Sequence, residues 1–191
     1  CNDAVESGIA FNIAGGTHHA FSDRGEAFCL LNDQAIAAQY LINQKKCHKI
    51  LIVDLDVHQG NGTAEIFQNN ADVITFSMHG QSNYPFRKEI SDYDIALPDK
   101  TDDTTYLSIL QETLPELLNI HRPDFVFYLA GVDILGTDKL GKLGCTLEGC
   151  KARDSYVLGL CKSLGIPVQV SMGGGYSPAI KTIIEAHANT Y

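Results

Sequence analysis

Four times along this chain a short apolar run gives way to glycine, histidine or acid, and helical stretches separate the runs. Ile9 to Ile13 leads into Gly15-Gly16-Thr17-His18-His19, and Ile50-Leu51-Ile52-Val53 into Asp54-Leu55-Asp56-Val57-His58. Phe125 to Leu129 leads into Gly131-Val132-Asp133, and Ile166 to Ser171 into Gly173-Gly174-Gly175-Tyr176. Short runs of β-branched and aromatic residues without polar alternation read as strands buried on both faces. Strands joined through helices imply a parallel sheet covered on both sides. The chain therefore reads as α/β, with three layers, a mainly parallel sheet and helices on both faces. In such sheets ligands bind outside the carboxyl ends of the strands, and the polar clusters fall at those ends.

The remaining elements fit between. Glu26 to Lys45 has helical periodicity, Thr63 to Gln68 is a short helix, and Val73 to Ser77 is a further strand. His79 to Glu89, with Gly80, Asn83 and Pro85, reads as a loop. Tyr93 to Leu97 is extended. Asp103 to His121 is a helix capped by Asp102 or Asp103, with Pro115 placed to kink it. A helix from Thr146 or Leu147 to Leu164 is closed by Gly165. The last helix spans Pro178 to Ala188, with Ser177 as its cap and Pro178 in its first position.

The second cluster carries the most chemistry. Residues i, i+2 and i+4 of a strand share a face, so Asp54, Asp56 and His58 point the same way. Asp56 and His58 suit a divalent metal, and Asp54 suits orienting a neighbour. Taken alone, a solvated strand end remains an equal reading. Asp133 alone could cap a turn, and His18 and His19 alone could be loop residues. Together these groups deliver tandem histidines, acids and Tyr176 to one rim. Asp56, His58 and Asp133 would leave coordination positions open, as a catalytic metal site does. Zinc is the default ion, although iron(II) or cobalt suits the same donors. Gly173 to Gly175 is not a phosphate loop, since no Lys-Ser or Lys-Thr follows. His48, His79, His121 and His187 have no evident partners and read as surface or structural residues.

Composition narrows the class. The net charge of −9 makes nucleic acid a poor partner, while leaving cationic ligands suitable. Six cysteines form no Cys-x-x-Cys pair. Cys29 and Cys161 fall in apolar helical patterns, as buried reduced thiols do, and a reducing, cytoplasmic setting is the expectation. No stretch of about 18 apolar residues is present, so no membrane-spanning helix is expected.

In this order the motifs resemble the zinc-dependent histone deacetylase superfamily. The matching stretches are Gly-Gly-Thr-His-His-Ala (15–20), Phe-Cys-Leu-Leu-Asn-Asp (28–33), Asp-Leu-Asp-Val-His-Gln-Gly-Asn-Gly (54–62), Ala-Gly-Val-Asp (130–133) and Gly-Gly-Gly-Tyr (173–176). The stretch at 59–62, Thr137 to Gly141 and the carboxyl end look closest to the class IV-like branch and its bacterial relatives. The resemblance implies an arginase/deacetylase-type fold and one zinc ion held by Asp56, His58 and Asp133. It implies His19 as general base, His18 as electrostatic partner or proton donor, and Tyr176 as the group that polarises the acyl carbonyl. Asp54 would orient His18, and Asn61 would orient His19. A structural potassium ion would lie at Asp54, Asp56, His58, Ser77 and Met78. Phe28, Tyr84, Leu140 and Gly174 would line the substrate channel. The implied reaction is amide hydrolysis of an acylated lysine, in a peptide or protein, or of a small acylamine.

Many members of that superfamily carry aspartate where Asn61 stands. A neutral amide does not raise a histidine pKa as a carboxylate does, so His19 is expected to lose its proton more readily than His18. The resemblance also implies about a hundred further residues before this point. Residues 1–191 then read as the carboxyl-terminal two-thirds of a single catalytic domain. Two rival readings remain: a binuclear arginase-like amidohydrolase, and a module that holds an acyl ligand without turnover. The first needs carboxylates where Gln59 and Asn61 stand, and the second would fit better without Tyr176 and the histidines.

Overall fold

The central strands show why their sequences carry no polar alternation. In β2 (Ile50–Asp54) every residue is buried, and successive side chains enter two different cores. Leu51 and Val53 join a cluster with helices α4 (Asp103–His121), α5 (Leu147–Leu164) and α6 (Ile180–Thr190). Ile50 and Ile52 join a smaller cluster with α1 (Asn2–Ser7), α2 (Asp33–Asn43) and α3 (Asn61–Phe67). In β5 (Phe125–Leu129), Val126 and Tyr128 likewise face the first cluster, and Phe125 and Phe127 the second. A strand burying both faces has no solvent side to mark with polar residues. This computed structural model describes residues 1–191.

Six strands form one sheet in the order β1-β6-β5-β2-β3-β4, and every pairing is parallel. The other strands are β1 (Ile9–Asn12), β3 (Val73–Gly80), β4 (Tyr93–Leu97) and β6 (Val168–Ser171). From β2 the chain moves outward through β3 to β4. It then returns to the other side of β2 with β5 and continues outward to β6. The order of winding reverses between β2 and β5, and the crevice at such a reversal is where open α/β sheets bind ligands. The register aligns Asp54 with Leu129, so both strands end level.

Local chemistry moves several element ends. The helix expected from Glu26 begins only at Asp33, because Asn32 caps it by accepting from Ala35 N at 3.0 Å. Glu26 and Cys29 instead form an antiparallel bridge, so Cys29 is buried outside any helix. β3 runs on to Gly80, since β4 pairs with Phe76 through Gly80. The last helix starts at Ile180 with Ala179 as its cap. Ser177 makes no cap, and its hydroxyl lies 2.8 Å from that of Thr137. Asp102 and Thr146 cap α4 and α5 through bonds to Thr105 N and Gly149 N. α4 continues through Pro115 to His121. Helix α1 had no counterpart among the expected elements. No helix is long and apolar enough to cross a membrane.

Candidate metal centre

β2 ends at Asp54, and the chain beyond it keeps alternating. Leu55 and Val57 turn into the larger core, which leaves Asp56 and His58 for the crevice. The loop after β5 comes alongside, where Asp133 Oδ1 accepts from Val57 N at 3.0 Å. The loop after β6 closes the third side, and Gly174 N donates to Asp56 Oδ2 at 2.9 Å. A Cβ at Gly174 would collide with Asp133 Oδ2, so glycine is what permits this approach.

Asp56, His58 and Asp133 each offer one donor atom, and the three lie within 4.8 Å of one another. His58 Nδ1 stands 3.0 Å from Asp56 Oδ1 and 3.2 Å from Asp133 Oδ2. Asp133 is 1% exposed, and its Oδ2 has no hydrogen-bond partner. A buried carboxylate oxygen without a partner is costly, and a cation among these donors would satisfy it. Two oxygens and an imidazole nitrogen, with no thiolate, suit zinc or another divalent ion of similar preference.

Electrostatics point the same way. Burial, and then the charge of Asp56, push the Asp133 carboxyl up to about 7. Burial alone would raise Asp56 as well, but hydrogen bonding and charge from His58, with charge from His18, hold it below the usual carboxylate range. Burial raises Asp54 against the opposing pull of His18.

The two tandem histidines reach the crevice from the loop after β1. Asp33, in the first turn of α2, accepts from Thr17 N at 2.9 Å and from the Thr17 hydroxyl at 2.8 Å, which fixes that loop. Thr63 N, near the start of α3, donates to His18 O at 3.1 Å. The imidazoles lie 4.1 Å apart between ring centres. His18 Nδ1 is 2.6 Å from Asp54 Oδ2, and His19 Nδ1 is 2.7 Å from Asn61 Oδ1. Burial would lower His18, yet the charge and hydrogen bond of Asp54 push it up to about 9. His19 is lowered to about 3, by burial first and then by the charge of His18. The order matches the expectation from the two partners, but burial is the larger cause. The Asn61 bond itself raises His19.

These groups stand around a cavity of about 590 Å³ that also includes Phe28, Tyr84, Phe86, Leu140, Gly174 and Tyr176 in its walls. Phe28 is 80% exposed, and its ring centre lies 6.0 Å from that of Tyr176. Tyr84 meets His19 edge-on at 5.0 Å and 88°. Tyr176 N is tied to Asp138 Oδ2 at 2.5 Å. Ser77 pairs in register with Asp54 across β2 and β3, with Met78 next along the strand. The Ser77 hydroxyl is 3.0 Å from His79 Nδ1, so His79 does have a partner. His121 Nε2 likewise has one, the Tyr93 hydroxyl at 2.8 Å. Gln59 Nε2 donates to Glu89 O at 2.7 Å and Asp94 Oδ1 at 2.8 Å, which directs it away from the donor cluster.

Three contributors escaped the reading of the sequence: Asp33, Glu26 and Arg153. Arg153 is fully buried in α5. Its Nη1 donates to Gly131 O at 2.6 Å and Leu55 O at 3.2 Å, gripping both acid-bearing loops from behind. Its Nε donates to Asp154 Oδ1 at 2.8 Å. A signal for Arg153 was available. Cys150, Val157 and Cys161 lie at helical spacing around it, on the face that α5 buries.

Against known proteins, the family described as "Histone deacetylase domain" matches residues 1–191. An uncharacterized protein of Picosynechococcus is 49% identical over 185 residues, covering 97% of this chain and 62% of that protein. Histone deacetylase 2 of Arabidopsis thaliana is 32% identical over 184 residues, covering 95% of this chain and 48% of that protein. Among solved structures, the HDA15 HD domain aligns with a TM-score of 0.81 and 28% identity, covering 98% of this chain and 58% of that one. An acetylpolyamine aminohydrolase from Burkholderia pseudomallei aligns with a TM-score of 0.80 and 27% identity, covering 98% and 57%. The chain thus spans about half to three-fifths of the length of these relatives.

Proposed function

Because this chain belongs to the histone deacetylase family, we propose that it hydrolyses the amide bond of acylated lysine side chains or of related acylated amines. In this reading Asp56, His58 and Asp133 hold a single zinc ion. The observation that carries it is the meeting of those three donors, both tandem histidines and Tyr176 on one cavity. Bound there, zinc supplies Lewis acidity, polarising an acyl oxygen and lowering the pKa of water from 15.7 to about 7.

The chain's own groups divide the proton work. Water adds to the acyl carbon and gives up a proton, which His19 accepts at Nε2 while Nδ1 faces Asn61. His18, kept cationic by Asp54, stabilises negative charge as it develops. The Tyr176 hydroxyl donates to the acyl oxygen. The C–N bond then breaks as the nitrogen takes a proton from the imidazole pair, releasing an amine and a carboxylate. Phe28, Tyr84 and Leu140 hold the aliphatic stem and exclude water, and Gly174 lets the acyl group approach the backbone. The aminohydrolase likeness supports small acylated amines as substrates alongside acyl-lysine.

One ion is favoured over two because Gln59 and Asn61, where further carboxylates would be needed, are neutral and already engaged with Glu89, Asp94 and His19. A separate structural potassium ion at Asp54, Asp56, His58, Ser77 and Met78 is supported by the register that sets Ser77 beside Asp54. The test is an assay of the purified, zinc-loaded protein against acyl-lysine peptides and small acylamines. Release of carboxylate that a chelator abolishes and zinc restores supports the reading. Binding of the same compounds without turnover would favour the acyl-ligand module instead.

A further inference from the structure

Asn61 stands between two groups that decide which way its amide points. Its Oδ1 lies 2.7 Å from His19 Nδ1, and its Nδ2 lies 2.8 Å from Glu26 Oε1. A carboxylate only accepts hydrogen bonds. The amide must therefore turn its NH2 toward Glu26, and its carbonyl oxygen then faces His19. That oxygen needs a proton on Nδ1, so a neutral His19 keeps its lone pair on Nε2. Glu26 is itself anchored. The same Oε1 accepts from the Tyr84 hydroxyl at 2.5 Å, and Arg24 Nη2 lies 3.6 Å from Oε2. The Tyr84 hydrogen bond, ahead of other causes, holds the Glu26 carboxyl below its usual range, so it remains an acceptor.

We propose that Glu26 is a positioning residue which, through Asn61, sets the tautomer of His19, and that it is matched to an amide at position 61. The inference rests on the role of base given to His19 above. An aspartate at 61 would set two carboxylates against each other across the 2.8 Å contact. Exchanging the pair, with Gln at 26 and Asp at 61, restores a donor facing an acceptor, with the roles reversed.

Long-range proton–nitrogen NMR of the zinc-loaded protein reads the His19 tautomer without turnover. The wild type is expected to carry the proton on Nδ1. Glu26→Ala frees the amide to turn over, so both tautomers appear. With it, kcat falls about tenfold or more with little change in KM, short of the roughly 10⁴-fold loss that a locked wrong tautomer causes. Asn61→Asp alone is expected to be slower than the Glu26→Gln/Asn61→Asp double variant, which recovers most of kcat. An unchanged tautomer in Glu26→Ala overturns the proposal, as does an Asn61→Asp variant as active as the double. If the wild type hydrolyses no acylated amine, the proposed function fails, and the tautomer readings still decide the role of Glu26.

Discussion

Arg153→Met keeps most of the side-chain volume and deletes the guanidinium, so its effects isolate what that group does. Two backbone oxygens, of Leu55 and Gly131, lose their donor in a fully buried setting. Each orphaned acceptor costs about 1–3 kcal/mol. Asp154 loses its cationic partner, and breaking a buried pair costs about 3–5 kcal/mol. Asp154 keeps hydrogen bonds from the Tyr128 and Thr190 hydroxyls at 2.5 and 2.6 Å, which places that loss at the low end. The net cost is then about 5–9 kcal/mol, or about 10–35 °C in melting temperature for a chain of this length. Adding Asp154→Asn removes the stranded charge and should return about 2 kcal/mol, a coupling of the size that contacting pairs show. Leu55 precedes Asp56, and Gly131 stands two residues before Asp133. Zinc affinity should therefore fall as well, by about 10–100-fold, as when outer supports of a metal site are removed. Calorimetric melting and competition with a chelating dye read the two effects. A variant that melts within about 3 °C of wild type and binds zinc equally well would refute the bracing role.

Tyr176→Phe should lower kcat by about 10²–10³-fold, while metal content per chain, measured by mass spectrometry, stays at the wild-type value. His79 supplies a test of acid stability. Burial first, with Asp94 opposing and Lys88 adding, brings it down to about 4. Below pH 6.5 the unfolded chain takes up a proton that the folded chain refuses until about pH 4, so stability falls through that window by up to about 3 kcal/mol. His79→Asn cannot titrate there, and urea unfolding should show its pH dependence flatter than wild type by that amount.

The parts of the fold legible in the sequence are those that depend on local pattern. Ile50 to Val53 and Phe125 to Leu129 read as buried strands, because they are short, rich in β-branched or aromatic residues, and carry nothing that marks a solvent face. The order of strands was not legible, because pairing β5 with β2 depends on contacts some 76 residues apart, such as Asp133 with Val57. Phe28-Cys29-Leu30-Leu31 imitated a helical apolar face, but Leu30 and Leu31 are largely exposed. The side chain of Asn32 starts the helix beyond them. Polar clusters at strand ends announced a site, whereas the supports of that site did not show. Glu26 lies in a segment that looked helical. Arg153 is a charge on a buried face, which pattern reading assigns to solvent unless its helical neighbours are weighed.

X-ray absorption at the zinc edge, on protein loaded with one equivalent of zinc, reads the donor set of the site itself. Ligation by Asp56, His58 and Asp133 gives a first shell of oxygen and nitrogen at about 2.0–2.2 Å, with outer scattering from a single imidazole. A sulfur neighbour at about 2.3 Å, from any of the six free cysteines, or scattering from two or more imidazoles, would contradict the Asp56, His58 and Asp133 site.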